Sequence, residues 1–173
     1  LMLEAFRRLA RIEARAHLWI VGDGPLQAEV AAVTAATERT ALVGFVNQTQ
    51  LPEVYTACDC LVLPSSEDSW GLVVNEAFAC GLPAIAADDV GWAPDLIDAN
   101  PGWTVSPLHA ATLARVMATA LGRAASLPRR ALAGKTIEGS YAAGAAQLLE
   151  AVSSVGARRT RSAPERPTNE QRA

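Results

Sequence analysis

The sequence predicts an α/β fold in which helices cover both faces of a parallel sheet. From Leu18 onwards, short apolar segments alternate with helical stretches, which is the rhythm of βαβ units. The segment CLVLP at 60–64 is continuously apolar, as expected for a strand that is buried on both faces. The chain has 173 residues, half of them hydrophobic, which suits one core and is too short for two. We therefore expect one α/β domain.

The predicted elements follow one another in a regular order. Leu3, Phe6 and Leu9 have helical spacing, so the chain is expected to begin inside a helix. Short apolar runs predict strands at 18–21, 41–46, 60–64, 84–87 and 103–105. Helices are predicted at 26–36, at 49–57 with Thr49 as the N-cap, at 72–80, at 91–97, and from about 110 to 155.

Composition limits the partners and the location. The net charge of −3 gives no general basic field for nucleic acid or for an anionic membrane, so any phosphate site must be local. No segment reads as a membrane span or a signal peptide, and we expect a cytoplasmic protein. Cys58, Cys60 and Cys80 lack the paired spacing of a zinc site, which predicts buried free thiols in a reducing compartment and no bound metal.

The composition changes after about Val155. Residues 156–173 contain two prolines and five arginines but no large apolar residue, which is typical of a disordered tail. We therefore expect a folded domain over 1–155 and a disordered tail over 156–173.

The loops after the strands are the expected ligand edge. In a parallel sheet these loops share one rim, and ligands bind there. The loops after Val21, Val46, Pro64 and Ala87 should therefore meet. Gly24, in the GDGP turn at 22–25, would let a ligand approach the main chain, although turns after strands often look like this.

Glu76 is the most informative residue of the predicted helix at 72–80. The residues three and four positions away are all apolar, so we expect Glu76 to face inward and to need a partner. One interpretation is a structural hydrogen bond to a nearby loop backbone. The other is that the carboxylate accepts hydrogen bonds from two ribose hydroxyls.

The loop before that helix adds further candidates. Asp68 would place a second carboxylate at the cleft, and Glu67 beside it competes for the same role. Free N–H groups of Gly71, Leu72 and Val73 at the helix start would suit a diphosphate.

Three other rim residues keep two interpretations each. Trp70 either stacks on a sugar or packs the loop. The backbone near Val46 has the right place to reach a base edge, although nothing in its composition requires this. Gly91 either approaches phosphate or makes the turn.

Taken together and in order, these segments resemble glycosyltransferase family 4 over about residues 1–155. The resemblance implies the C-terminal half of a GT-B enzyme, in which two Rossmann-like domains face a cleft. The matching segments are IVGDGPL at 20–26, LVGFV at 42–46, LPEVYTACDCLVLPS at 51–65, WGLVVNEAFACGLPAIAAD at 70–88 and VGWAPDLI at 90–97.

The resemblance also implies roles for the two acids. In this family two glutamates are separated by seven residues, and the second matches Glu76, which implies ribose binding. If Trp70 and Gly71 fix the register, the first matches Asp68 and implies a catalytic position at the donor sugar. The side chain there is one methylene shorter than in the family, so Glu67 remains an alternative.

The whole enzyme would transfer a hexose-like sugar, with retention, from a UDP-, GDP- or ADP-sugar, using no cofactor. The acceptor, a sugar, a lipid or a small molecule, would bind through an N-terminal domain that this chain lacks, so the chain alone is expected to be inactive. Peripheral association of the whole enzyme with a membrane is compatible with such acceptors. The basic loop that holds the diphosphate in the family is not found in this sequence.

Two other interpretations remain open. A non-catalytic module could bind a nucleotide or nucleotide sugar without turnover, as the aspartate at position 68 and the missing basic loop would suit. An epimerase or hydrolase of the same architecture would need catalytic residues from another domain. A plain interaction domain would leave Glu76 unexplained.

Overall fold

The computed structural model describes residues 1–91, 97 and 102–124, all within the first of two units, Leu1–Thr136. The helices are α1 (Met2–Leu9), α2 (Gln27–Ala35), α3 (Leu51–Ala57), α4 (Leu72–Ala79) and α5 (Ala110–Ala124). The strands are β1 (Leu18–Val21), β2 (Thr40–Gly44), β3 (Leu61–Leu63), β4 (Ala84–Ala87) and β5 (Gly102–Val105).

All of these strands pair in parallel, which confirms the predicted α/β class. Within the described residues they form two sheets, one of order β1-β2 and one of order β3-β4-β5. The single sheet expected from the sequence is therefore divided into these two sheets. The carboxyl ends of the strands lie at one edge within each sheet.

β4 is the central strand of the larger sheet. Its residues pair with β3 on one side and with β5 on the other, and all four are buried. This double coverage explains why the segment AIAA is apolar throughout rather than alternating.

Helices on both faces build the core of the larger sheet. α1 and α5 pack together over one face, where Phe6, Leu9 and Leu113 share a buried cluster with Ile85. α4 covers the other face, where Val74 and Phe78 pack against the alanines of β4. Leu18 of β1 joins the first of these clusters, so α1 and α5 share one core with residues of both sheets.

In the described residues, one apolar face of the smaller sheet is uncovered. Trp19 pairs with Ala41, and Val43 lies two residues further along the same side of β2. All three are exposed, whereas Leu18 on the opposite face is buried. We call Trp19, Ala41 and Val43 the open face.

Arg39 links α1 to the start of β2. Its guanidinium donates hydrogen bonds to three backbone carbonyls just after α1, those of Ala10 at 2.9 Å, Glu13 at 3.1 Å and Ala14 at 2.6 Å. These carbonyls include groups that the end of a helix leaves without a backbone donor. The residue itself has a φ of 61°, in the left-handed region that few side chains adopt.

Two local predictions were wrong. Thr49 does not cap α3, because the N-cap is Gln50 and Thr49 instead donates from its N–H and hydroxyl to Asn47 Oδ1. β2 ends at Gly44 rather than at residue 46, since Gly44 has a φ of 79° and leaves the extended conformation.

Several predictions fall on residues outside the described part. They are the helices after residue 124, the domain boundary at 155 and the tail at 156–173. Of the helix predicted at 91–97, Ile97 is described as helical and buried, and Gly91 lies in a turn.

Candidate functional site

The site candidates cluster around the start of α4. Gly71 is its N-cap, with a φ of 59° in the left-handed region, where glycine is favoured. Asp68 Oδ1 accepts two hydrogen bonds there, from the N–H of Trp70 at 3.0 Å and from the N–H of Gly71 at 2.8 Å. Asp68 therefore holds the loop in the turn that leads into the helix.

This arrangement changes the expected anion site. The N–H of Gly71 was predicted to be free, and that prediction was wrong because the Asp68 carboxylate occupies it. Leu72 and Val73 follow in the first turn, where backbone N–H groups have no intrahelical acceptor. The carboxylate also places negative charge beside those two groups, which favours the helix start electrostatically.

Gly91 brings a second loop against this one. Its N–H donates to the backbone carbonyl of Asp68 at 3.1 Å. A Cβ at this position would overlap the carbonyl oxygen of Ser69, so only glycine fits without moving the loop. The loops after β3 and β4 therefore meet at the rim, as predicted, and in this structure Gly91 contacts protein backbone.

Glu76 does not face inward as predicted. α4 buries Val74, Ala77 and Phe78, and Glu76 projects from the opposite side of the helix to Val74, half-exposed. Its apolar neighbours misled the prediction because Leu72 and Ala79 on the same side are themselves exposed.

The partner of Glu76 is Tyr55, a residue that the sequence analysis missed. The Tyr55 hydroxyl, on α3, donates to Glu76 Oε2 at 2.8 Å. The predicted structural partner was a loop backbone, whereas the observed donor is a side chain. A signal was present, since Leu51 and Tyr55 are four residues apart and a tyrosine packed inward needs an acceptor for its hydroxyl.

Glu76 and Tyr55 lie in a cleft of about 370 Å³ between α3 and α4. Gln48, from the loop after β2, is the third polar side chain in this cleft and was also missed. Its amide can both donate and accept hydrogen bonds. The remaining lining residues are Leu51, Pro52, Ala79 and Cys80.

The other predicted residues are more scattered. Gly24 lies in a separate cleft of about 310 Å³, formed by the turn after β1 and the start of α2. Val46 is half-buried in the loop after β2, and Trp70 is 64% exposed beside Gly71. Glu67 is exposed, and its N–H donates to Ser65 Oγ at 3.3 Å.

Burial dominates the electrostatics of the region. It raises the pKa of the Tyr55 hydroxyl, and the hydrogen bond to Glu76 raises it further, so the phenol remains a donor at neutral pH. None of the three cysteines forms a disulfide, and each is half-buried, less buried than predicted. Burial raises the pKa of Cys60 to about 12 and also raises that of Cys80, which keeps these thiols protonated and weakly nucleophilic.

In residues 1–91, 97 and 102–124, no three of the His, Cys, Asp and Glu side chains are grouped so that they could hold a metal ion. No helix in those ranges has the length and apolar character needed to cross a membrane.

Comparison with known proteins places this fold among sugar-transferring enzymes. The chain is 35% identical over 102 residues to the 2-deoxystreptamine glucosyltransferase of Streptomyces kanamyceticus, covering 57% of this chain and 26% of that protein. It resembles the structure of WaaG, a glycosyltransferase involved in lipopolysaccharide biosynthesis, with a TM-score of 0.61 and 25% identity over 78% of this chain and 36% of that one.

A second similar structure is that of HepE from Anabaena in complex with UDP. The TM-score is 0.64, with 22% identity over 87% of this chain and 44% of that one. The chain thus spans between a quarter and a half of the length of these three proteins. Residues 1–123 match the family model for glycosyl transferases group 1, which is more than half of the sequence. The chain therefore belongs to the glycosyl transferases group 1 family.

Proposed function

We propose that this chain is the nucleotide-sugar-binding half of a retaining glycosyltransferase of family 4. The observation that carries the proposal is the partly buried Glu76 carboxylate, held by Tyr55 in the cleft between α3 and α4. A carboxylate of this kind suits the vicinal hydroxyls of a ribose. Membership of the family and the UDP bound by the similar HepE support a nucleotide donor.

The neighbouring groups bind the rest of the donor. The N–H groups of Leu72 and Val73 bind the diphosphate at the start of α4. Asp68 lies at the donor sugar, with Trp70 stacking on it. The backbone at Gly24 and Val46 completes the rim.

The whole enzyme would transfer a hexose from a UDP-, GDP- or ADP-sugar, with the leaving diphosphate acting as the base and no metal ion required. The acceptor, a sugar, a lipid or a small molecule, would bind to a second domain. Catalysis would need that domain, because the cleft of a two-domain enzyme closes only when both halves are present.

Calorimetric titration of the full chain with UDP, GDP and ADP tests the donor site. We expect one nucleotide to bind best, and Glu76→Ala to weaken its binding by about tenfold or more, because hydrogen bonds to a charged group are lost. Glu29→Ala is the matched control, since Glu29 is an exposed glutamate on α2 and should leave binding unchanged.

Two results would contradict the proposal. One is a chain that is folded by circular dichroism but binds none of the three nucleotides. The other is a nucleotide that binds equally well to the wild-type chain and to Glu76→Ala.

A second candidate function is a non-catalytic nucleotide-sugar-binding module. The observation that favours it is the Asp68 carboxylate, which already accepts two backbone hydrogen bonds and so has a structural task in the loop. In that case the aspartate supports the loop and does not serve the sugar.

The two candidates differ in what Asp68→Asn does. The amide oxygen of asparagine can still accept both backbone bonds, while the negative charge is removed. If Asp68 contacts the donor sugar, the ratio of nucleotide-sugar affinity to nucleotide affinity should fall by about threefold to tenfold. If the residue is only structural, the ratio in the same titrations should not change.

A further inference from the structure

Tyr55 is fixed more firmly than the residue to which it donates. Its side chain is only 7% exposed and packs in a cluster with Ala77 and Leu82. The Glu76 side chain, in contrast, is only partly buried and projects from the side of α4 opposite to Val74. The buried aromatic ring therefore holds the hydroxyl in place, and the hydroxyl in turn positions the carboxylate.

The hydrogen bond engages one carboxylate oxygen. In the described part of the chain, Glu76 accepts a side-chain hydrogen bond from Tyr55 at Oε2, and Oε1 accepts none. A carboxylate oxygen has two acceptor positions, so Oε1 keeps both and Oε2 keeps one. The cleft that contains this carboxylate has a volume of about 370 Å³ and is otherwise mostly apolar.

The phenol is suited to this task over a wide pH range. Its pKa is raised by burial first and by Glu76 second, so it remains a protonated donor well above neutral pH. The carboxylate is therefore not released from Oε2 by a moderate rise in pH.

We propose that Tyr55 is a positioning residue, which holds the Glu76 carboxylate with Oε1 free for a ribose diol and thereby sets the preference for ribose over deoxyribose. This inference rests on the proposed function. Without the hydroxyl, Glu76 would be free to rotate, and ordering it would reduce the gain from binding the diol. The effect should therefore fall on the sugar hydroxyls and not on the rest of the nucleotide.

The test compares Tyr55→Phe with the wild-type chain. The probe is the nucleoside diphosphate that binds best in the titrations above, together with its 2′,3′-dideoxy analogue. We expect Tyr55→Phe to weaken binding of the ribonucleotide by about threefold to tenfold and to leave the analogue unchanged. A merely structural role would weaken both ligands equally or only lower the melting temperature.

The outcomes separate this inference from the proposed function. If the folded wild-type chain binds no nucleotide, or binds it independently of Glu76, both fail. If Glu76→Ala abolishes the preference for ribose but Tyr55→Phe retains it, only the positioning role of Tyr55 is overturned.

A second variant covers the case in which Tyr55→Phe does not fold. Glu76→Asp shortens the side chain by one methylene, so that the carboxylate no longer reaches both the Tyr55 hydroxyl and the ribose. We expect the same loss of preference for ribose, and an unchanged preference in a folded Glu76→Asp chain would overturn the inference.

Discussion

Gly91 shows how a single hydrogen atom in place of a side chain sets the distance between two loops. Its missing Cβ leaves room for the Ser69 carbonyl, and its N–H binds the carbonyl of Asp68. The loop that leads into α4 is therefore held by its contact with Gly91 in a second loop as well as by the Asp68 carboxylate within it.

We predict that Gly91→Ala destabilises the chain by about 1–3 kcal/mol, because the new methyl group forces the 68–70 backbone to move. Urea denaturation measures this loss of unfolding free energy. Gly24→Ala is the control, since a Cβ there meets nothing within 4 Å. Equal midpoints for the two variants would contradict the predicted backbone contact.

The sequence predicted the members of the site better than their contacts. It placed Asp68 and Gly71 before a helix and singled out Glu76, and the structure has that helix. It could not show which side of α4 would be covered, because every side of this helix carries apolar residues. The pairing of Glu76 with Tyr55 joins residues 21 positions apart, which no local pattern reveals.

At the scale of elements, the turn between α1 and β1 is held by the side chain of Arg39, the residue just before β2. Arg39 donates to three carbonyls that follow α1, and its own carbonyl accepts from the N–H of Leu18 at 2.9 Å. Arg39 therefore connects the end of α1 to the beginning of the β1-β2 pair.

We predict that Arg39→Ala lowers the free energy of unfolding by about 2–3 kcal/mol, because it removes charge-assisted hydrogen bonds to carbonyls that are partly buried. Arg8→Ala is a suitable control. Arg8 pairs with Glu4 in an exposed ion pair at 2.8 Å, and such pairs contribute little to stability. Thermal unfolding of both variants measures the loss of stability. An equal loss for Arg8→Ala and Arg39→Ala would refute the prediction.

Apolar runs predicted the strands well, with 18–21 and 84–87 at their observed bounds. The ends that failed depend on single backbone torsions or polar bonds. Gly44 turned to a positive φ, and Thr49 bonded to Asn47 rather than capping a helix. Glycine and threonine are each compatible with several conformations, so the sequence alone does not select between them.

At the scale of the whole molecule, the open face of Trp19, Ala41 and Val43 is the least protected apolar surface of the smaller sheet. Exposed sheet surfaces of this kind favour association. The alternation of strands and helices predicted a sheet covered on both faces, but in the described residues only one face of the β1-β2 pair is covered. An apolar run predicts that a strand exists, but it does not show which element packs against that strand.

We predict that the chain self-associates as its concentration rises and that Trp19→Thr shifts this equilibrium towards monomer, because it removes the largest apolar group of the open face. Sedimentation velocity over a range of concentrations measures the shift. Trp70→Thr is the control. Trp70 is also an exposed tryptophan, but it lies in the loop before α4 and is not part of the open face. A monomer at all concentrations would contradict the prediction.

The position of β4 between two partner strands has a consequence for the order in which the molecule opens. Its amide groups can meet solvent only after neighbouring strands have separated, whereas, in the part of the chain that the structure describes, each strand of the β1-β2 pair has a single partner. In hydrogen–deuterium exchange we expect Ile85 and Ala86 to retain protons longest and Trp19 and Leu42 to exchange earlier. The smaller sheet would then open as a separate unit while the layer around β4 is still closed.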